Sequence, residues 1–148
     1  MARARKSKLH ELSAVELRRL IVRRDISPVE LLNHVLNRID RLDPKINSFV
    51  HLDRRGAKAA ARRAEKAVMA GDPLGALHGL PISVKDLIMV KGMPWTRGSW
   101  FFRNAVPKQD PPAIERLRQA GAIVTGKTNT PELGWKGTSS NMLFPETR

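Results

Sequence analysis

The sequence contains no cysteine. That absence excludes disulfide scaffolds, Cys-ligated zinc or iron–sulfur sites, and thiol nucleophiles. No apolar run approaches the ~20 residues that a membrane-spanning helix needs, so no membrane partner is expected. The basic start, Met1-Ala-Arg-Ala-Arg-Lys-Ser-Lys8, leads into Leu9-His-Glu-Leu12 and not into an apolar stretch. No signal peptide is read there, and a cytoplasmic protein is expected. Internal repeats and low-complexity tracts are absent too. The chain has 148 residues, 41% hydrophobic and 28% charged. That suits one domain with a real core, and neither a multidomain machine nor wholesale disorder is expected.

Acidic residues are scarce. Fourteen Asp and Glu stand against 27 Lys and Arg, for a net charge of +13. Up to Lys66 there are 17 basic and 8 acidic residues, and after it 10 and 6. Such an excess points either to a polyanionic partner or to solvated helix faces. The acids interspersed among the bases favour solvated faces, and a nucleic-acid partner is not expected. Only residues 1–12 form an arm-like basic segment, and no aromatic residues interleave with it.

Residues 13–72 read as mainly helical. Ser13-Ala-Val-Glu16 is a capping box, in which the serine accepts from a backbone N–H and the glutamate reaches back. Ser27-Pro28-Val-Glu30 repeats it, with proline preorganised at the first helical position. Leu32, Val35, Leu36 and Ile39 follow at helical spacing, and Pro44 is expected to end that helix. Residues 47–52 read as a brief extended segment. From Arg54 to about Ala70, Ala57, Ala60, Ala61, Ala64, Ala67 and Val68 make a narrow face able to approach a sheet closely. Residues 73–148 read as an α/β part. Pro81-Ile-Ser-Val-Lys85 is a short strand entering a loop at Asp86. Asp110-Pro-Pro112 opens a helix with Ile114 and Leu117 inward and Gly121 past its end. Ala122-Ile-Val-Thr125 is a compact buried strand. The helix–glycine–strand order indicates an α/β layer fold.

Gly121-Ala-Ile-Val-Thr-Gly126-Lys127-Thr128 matches the phosphate-loop pattern letter for letter. That motif needs a strand before its first glycine and a helix beginning at its lysine. Here the helix comes first, the strand lies between the glycines, and Pro131 blocks a helix after Lys127. Nucleotide binding is therefore not expected. His10, His34, His51 and His78 lack metal-ligand spacing and read as packing or surface residues, so no metal is expected. Trp95, Trp100 and Trp135 read as core or pocket lining. Lys85, at a strand end among apolar residues, has two readings. Desolvation would lower its pKa and make its amine a base, or it simply pairs with an acid.

The stretches Leu80-Pro-Ile-Ser-Val-Lys-Asp86, Lys91-Gly-Met-Pro94, Gly98-Ser99, Leu117-Arg-Gln-Ala-Gly-Ala-Ile-Val-Thr-Gly-Lys-Thr-Asn129 and Pro131-Glu132 follow one another in a fixed order and spacing. In this the chain, from about Ser13 to Arg148, resembles the N-terminal part of an amidase-signature enzyme. The resemblance implies an α/β fold with N-terminal helices plus the first strands of a mixed sheet flanked by helices. It also implies hydrolysis of carboxylic amide C–N bonds by a Ser–cis-Ser–Lys triad without a cofactor, acting on a small-molecule amide. Lys85 matches the family's lysine, which must be neutral to draw a proton through the bridging serine. Gly126-Lys-Thr-Asn129 matches scaffold near that centre. Ser139 and Ser140, in Gly137-Thr-Ser-Ser-Asn141, match a segment that helps line the substrate pocket. Two further readings stay open: the amidase component of a tRNA-dependent amidotransferase, and a non-catalytic interaction fragment. Thr96-Arg-Gly-Ser99 and Glu132-Leu-Gly-Trp-Lys136 are more similar to general amidases.

The family's Gly/Ser-rich loop, which carries both serines, lies downstream of every motif present, and Pro145 stands where the family commonly has glycine. Strand edges and an apolar face are then expected to lie open, with self-association through an exposed edge. The 148-residue chain alone is expected to be inactive on amides and marginally stable or aggregation-prone. A sharp cooperative thermal melt of the isolated chain would contradict the stability expectation.

Overall fold

The computed structural model describes residues 8–148; of the basic arm, residues 1–7 lie outside the described residues. A short 3-10 turn at Leu9–Glu11 precedes helices α1 (Ala14–Val22) and α2 (Pro28–Ile46). Strand β1 (Phe49–Leu52), helix α3 (Arg54–Ala70), strand β2 (Pro81–Lys85), helix α4 (Pro112–Gln119) and strand β3 (Ile123–Thr128) follow. The sheet is mixed, in the order β1-β3-β2, with β3 antiparallel to β1 and parallel to β2. Among the described residues no helix is long and apolar enough to cross a membrane.

Both capping boxes form. Ser13 and Ser27 each accept from the backbone N–H three residues on, and Glu16 and Glu30 reach back to the cap N–H. Pro44 does not end α2, which runs two residues further to Ile46. The proline sits so near the end that only one backbone bond is lost. The stop comes instead from Asn47 in the left-handed region (φ 58°). The Asp43 carboxylate then receives the backbone N–H groups of Ser48 and Phe49 at 2.8 and 3.2 Å and turns the chain into β1.

Helix α3 approaches the sheet on its alanines. Ala57, Ala61 and Ala64 are buried with Leu32 and Leu36 of α2 against Ile123 of β3. Across the sheet, Val84 and Val124 pack with Val90, Met93 and Ile114. Strand β3 thus has apolar neighbours on both faces and is buried from Ile123 to Lys127. Several basic side chains tie elements together. Arg18 donates to the carbonyls of Gly75 and Leu74, and Arg24 to that of Val68. Strand β3 continues through Gly126 and Lys127, so the segment that mimics a phosphate loop is strand at the very residues where the motif needs a turn and a helix start.

Gly126 is required by the closeness of β1. A Cβ built on it would lie 2.1 Å from the carbonyl oxygen of His51, a backbone atom that cannot swing away. Replacing Gly126 with Ala is expected to cost about 1–3 kcal/mol, the usual range for overpacking. Gly137→Ala, where a Cβ meets nothing within 4 Å, is expected to stay within about 0.5 kcal/mol of the parent. Urea midpoints of the two variants check the difference.

Candidate functional site

Strands β2 and β3 run parallel, and their carboxyl ends, Lys85 and Thr128, are register partners. Such ends are where open α/β sheets place ligands. The backbone N–H of Asp86 donates to the Thr128 carbonyl at 3.0 Å and extends the ladder one residue past Lys85. The Lys85 side chain is exposed. The lysine that is enclosed is Lys127, with 0% exposure. Of the two local readings of Lys85, neither desolvation nor an acid partner is present among the described residues.

The Lys127 ammonium donates to Asp86 Oδ1 at 2.8 Å and to the Pro94 carbonyl at 3.0 Å. Asp86 Oδ2 accepts from the Thr96 N–H at 3.1 Å and from its hydroxyl at 2.5 Å. The Thr96 hydroxyl oxygen in turn accepts from the Gly98 N–H at 3.1 Å. Both carboxylate oxygens are therefore engaged, as a buried charge requires. One ion pair joins β3, the end of β2 and the loop of residues 94–98. Burial is the largest influence on Lys127 and holds its pKa below the ordinary 10.5; the hydrogen bond and charge of Asp86 act the other way.

The loop carries a second cation. The Arg97 guanidinium lies 3.4 Å from the Phe102 ring centroid and 4.4 Å from that of Trp95, with its Nε buried and without a hydrogen-bond partner among the described residues. Trp95 itself donates to the Leu87 carbonyl at 2.9 Å. Trp100 and Trp135 correct the sequence expectation of core or pocket lining: they are 58% and 75% exposed.

Beside Thr128 opens a cleft of about 460 Å³, lined by Ser48, Thr128, Asn129, Thr138, Ser139 and Thr147 among others. Ser139 accepts from the Thr147 N–H at 2.8 Å. Ser140 is outside the lining, and its hydroxyl lies 3.2 Å from that of Thr138. Two asparagines that residue type alone did not single out hold this segment. Asn129 donates to the Pro145 carbonyl and Asn141 to the Thr130 carbonyl, each at 2.8 Å, and Asn141 also donates to Asn129 Oδ1 at 2.8 Å. The Thr147 hydroxyl donates to the Asn47 carbonyl at 2.8 Å, returning the segment to the end of α2.

Asp86→Asn is expected to destabilise the chain by about 3–5 kcal/mol, because the Lys127 charge stays buried without its counter-charge. The double variant Asp86→Asn/Lys127→Met is expected to recover part of that loss. Between the lowered Lys127 pKa and 10.5 the unfolded chain binds more protons than the folded one. The Lys127 contribution therefore disfavours folding below that window and is relieved as pH rises through it. Urea denaturation against pH should show this alkaline gain in the parent and its loss in the double variant.

The family profile for amidases matches residues 30–148. A glutamyl-tRNA(Gln) amidotransferase subunit of Acidothermus cellulolyticus is 36% identical over 142 residues, 96% of this chain and 28% of that protein. An acylamidase of Rhodococcus erythropolis is 37% identical over 139 residues, 94% of this chain and 29% of that one. The crystal structure of a bacterial aryl acylamidase of the amidase-signature family superposes with a TM-score of 0.84 at 28% identity, over 93% of this chain and 29% of that one. The chain thus spans somewhat more than a quarter of the length of these relatives. Over that span, in sequence and in fold, it belongs to the amidase-signature family.

Proposed function

We propose that this chain is the lysine-bearing part of an amide hydrolase and that Lys85 is its catalytic base. The observation that carries the reading is the position of Lys85: the carboxyl end of β2, one residue before the clamped Asp86, in a chain matched to amidases. In the proposed reaction the neutral Lys85 amine takes a proton relayed by a bridging serine from the nucleophilic serine. The serine oxygen attacks the amide carbonyl, and backbone N–H groups stabilise the oxyanion. Collapse of the tetrahedral intermediate breaks the C–N bond, the amine leaves with a proton, and water releases the acid from the acyl-enzyme. Both serines and the oxyanion hole belong to a Gly/Ser-rich loop with no counterpart among these 148 residues, so Lys85 needs a polypeptide that supplies it. The same contact would provide the desolvation a neutral lysine requires. The cleft beside Thr128, with Ser139 in its wall and Ser140 next to it, is the proposed place for part of a small amide substrate.

Relatives named as glutamyl-tRNA(Gln) amidotransferase subunits favour a second reading, in which the amide hydrolysed supplies ammonia to a tRNA-linked acceptor. RNA contact would then show as binding that weakens steeply with salt. A non-catalytic role, with the outer edge of β2 pairing to another chain, is the third.

In an assembled enzyme containing this chain and the serine loop, Lys85→Ala is expected to lower amide hydrolysis by at least about 10²-fold, the lower range for removing a positioned base. Unfolding midpoints of the 148-residue chain alone should stay close to the parent, since the side chain is exposed there. Hydrolysis at the parent rate would overturn the assignment, whereas strand pairing with another chain should survive the substitution.

A further inference from the structure

Away from the sheet ends, four basic side chains converge on α2. His34, Arg38 and Arg41 share one helical face with Asn37 between them, at the three- and four-residue spacing that stacks side chains. His10 is brought over them by the 3-10 turn at Leu9–Glu11, whose Leu9 is buried in the cluster of Ile21, Ile26 and Leu31. The His10 and His34 rings stack with centroids 5.3 Å apart, and His10 Nδ1 lies 3.1 Å from His34 Nε2. A hydrogen bond between two imidazoles needs one nitrogen as acceptor, so at least one ring is neutral. His10, His34, Asn37, Arg38 and Arg41 line a cleft of about 330 Å³.

The acids that could neutralise this cluster are engaged elsewhere. Asp40 pairs with Arg54, and Asp43 accepts from Ser48 and Phe49. Neither Arg38 nor Arg41 has an ion-pair partner among the described residues. Glu11 is the carboxylate at the rim, 4.0 Å from His10 Nε2, and it is shared with Lys8 at 3.3 Å. Burial first, then the charges of His10, Arg38 and Arg41, lower the pKa of His34. A site with two unpaired guanidinium groups, an amide and two imidazoles is complementary to a tetrahedral oxyanion, which accepts several charge-assisted hydrogen bonds at once.

We propose that the cleft formed by His10, His34, Asn37, Arg38 and Arg41 binds a phosphate group, either the free ion or the head of a small phosphomonoester. The bound anion favours the protonated form of the histidine pair, so binding takes up a proton. For an anion of fixed charge, affinity falls as pH rises through the histidine range. The site is independent of the amidase reading, since none of its residues belongs to the β2–β3 end.

The test is a titration of the 148-residue chain at low ionic strength, following the histidine ring resonances by NMR. Sodium phosphate, glycerol phosphate and sodium chloride of matched ionic strength form separate arms, with sodium sulfate for the pH series. Saturable shifts of His10 and His34 with phosphate and not with chloride are expected, together with a raised His34 pKa. Saturation by glycerol phosphate as well would identify the phosphomonoester as an acceptable source, and its failure the free ion. Arg38→Gln and Arg41→Gln, both away from the core, should each weaken binding roughly tenfold, about the effect of one lost charge-assisted hydrogen bond. Absent shifts, shifts matched by chloride, or affinity unchanged in both variants would overturn the proposal.

Discussion

A buried ammonium is tolerated only where its lost hydration is replaced, and the contacts of Lys127 show how this chain replaces it. Its Nζ reaches one oxygen of Asp86 and the Pro94 carbonyl, while Thr96 saturates the other Asp86 oxygen through its N–H and hydroxyl. The pair is weak evidence for net stability, because desolvation offsets much of the Coulomb attraction. Its consequence is specificity. Asp86 has one well-satisfied position, and that position fixes the end of β2, the residue before it, and the loop that folds back over β3. Lys85 is placed by a neighbour's charge requirement more than by contacts of its own.

The rest of the architecture lets β3 carry this pair inside. Small residues set the distances: Ala57, Ala61 and Ala64 bring α3 close to β3, and Gly126 admits the His51 carbonyl of β1. The apolar cluster of Val84, Val90, Met93, Ile114 and Val124 closes the other face. Asn129 and Asn141 then draw the final segment beside the strand ends, where it walls the cleft next to Thr128.

Much of the fold was legible because its signals are local. Capping boxes at Ser13 and Ser27, the alanine face of α3 and the alternation of residues 81–85 depend on neighbours within a turn or two. The false phosphate loop was also excluded locally, by the strand between its glycines. Where local signals competed, the sequence misled. Pro44 reads as a stop, yet a proline in the last turn costs a single bond, and Asn47 ends the helix. Lys85 and Lys127 both lie near the carboxyl ends of short strands, and nothing within either strand says which is enclosed. Burial of Lys127 depends on β3 being central and on Asp86 lying 41 residues away, a long-range pairing that periodicity does not encode. Exposure of Trp100 and Trp135 was missed for a similar reason, since an aromatic reads as core until its neighbours are placed. The role proposed for Lys85 rests on the family resemblance, and no local property carries it.

The Lys127–Asp86 pair organises the end of the sheet. Native-state amide hydrogen exchange tests it most directly. The Thr96 N–H, bonded to Asp86 Oδ2, and the Asp86 N–H, bonded to the Thr128 carbonyl, should exchange as slowly as the buried Ile123 N–H at the start of the central strand, bonded to the Leu80 carbonyl. Exchange of the Thr96 amide at the rate of the exposed Gly137 segment, with Ile123 still protected, would contradict it. The ion pair would then be a passenger on the sheet and not the constraint that fixes its end.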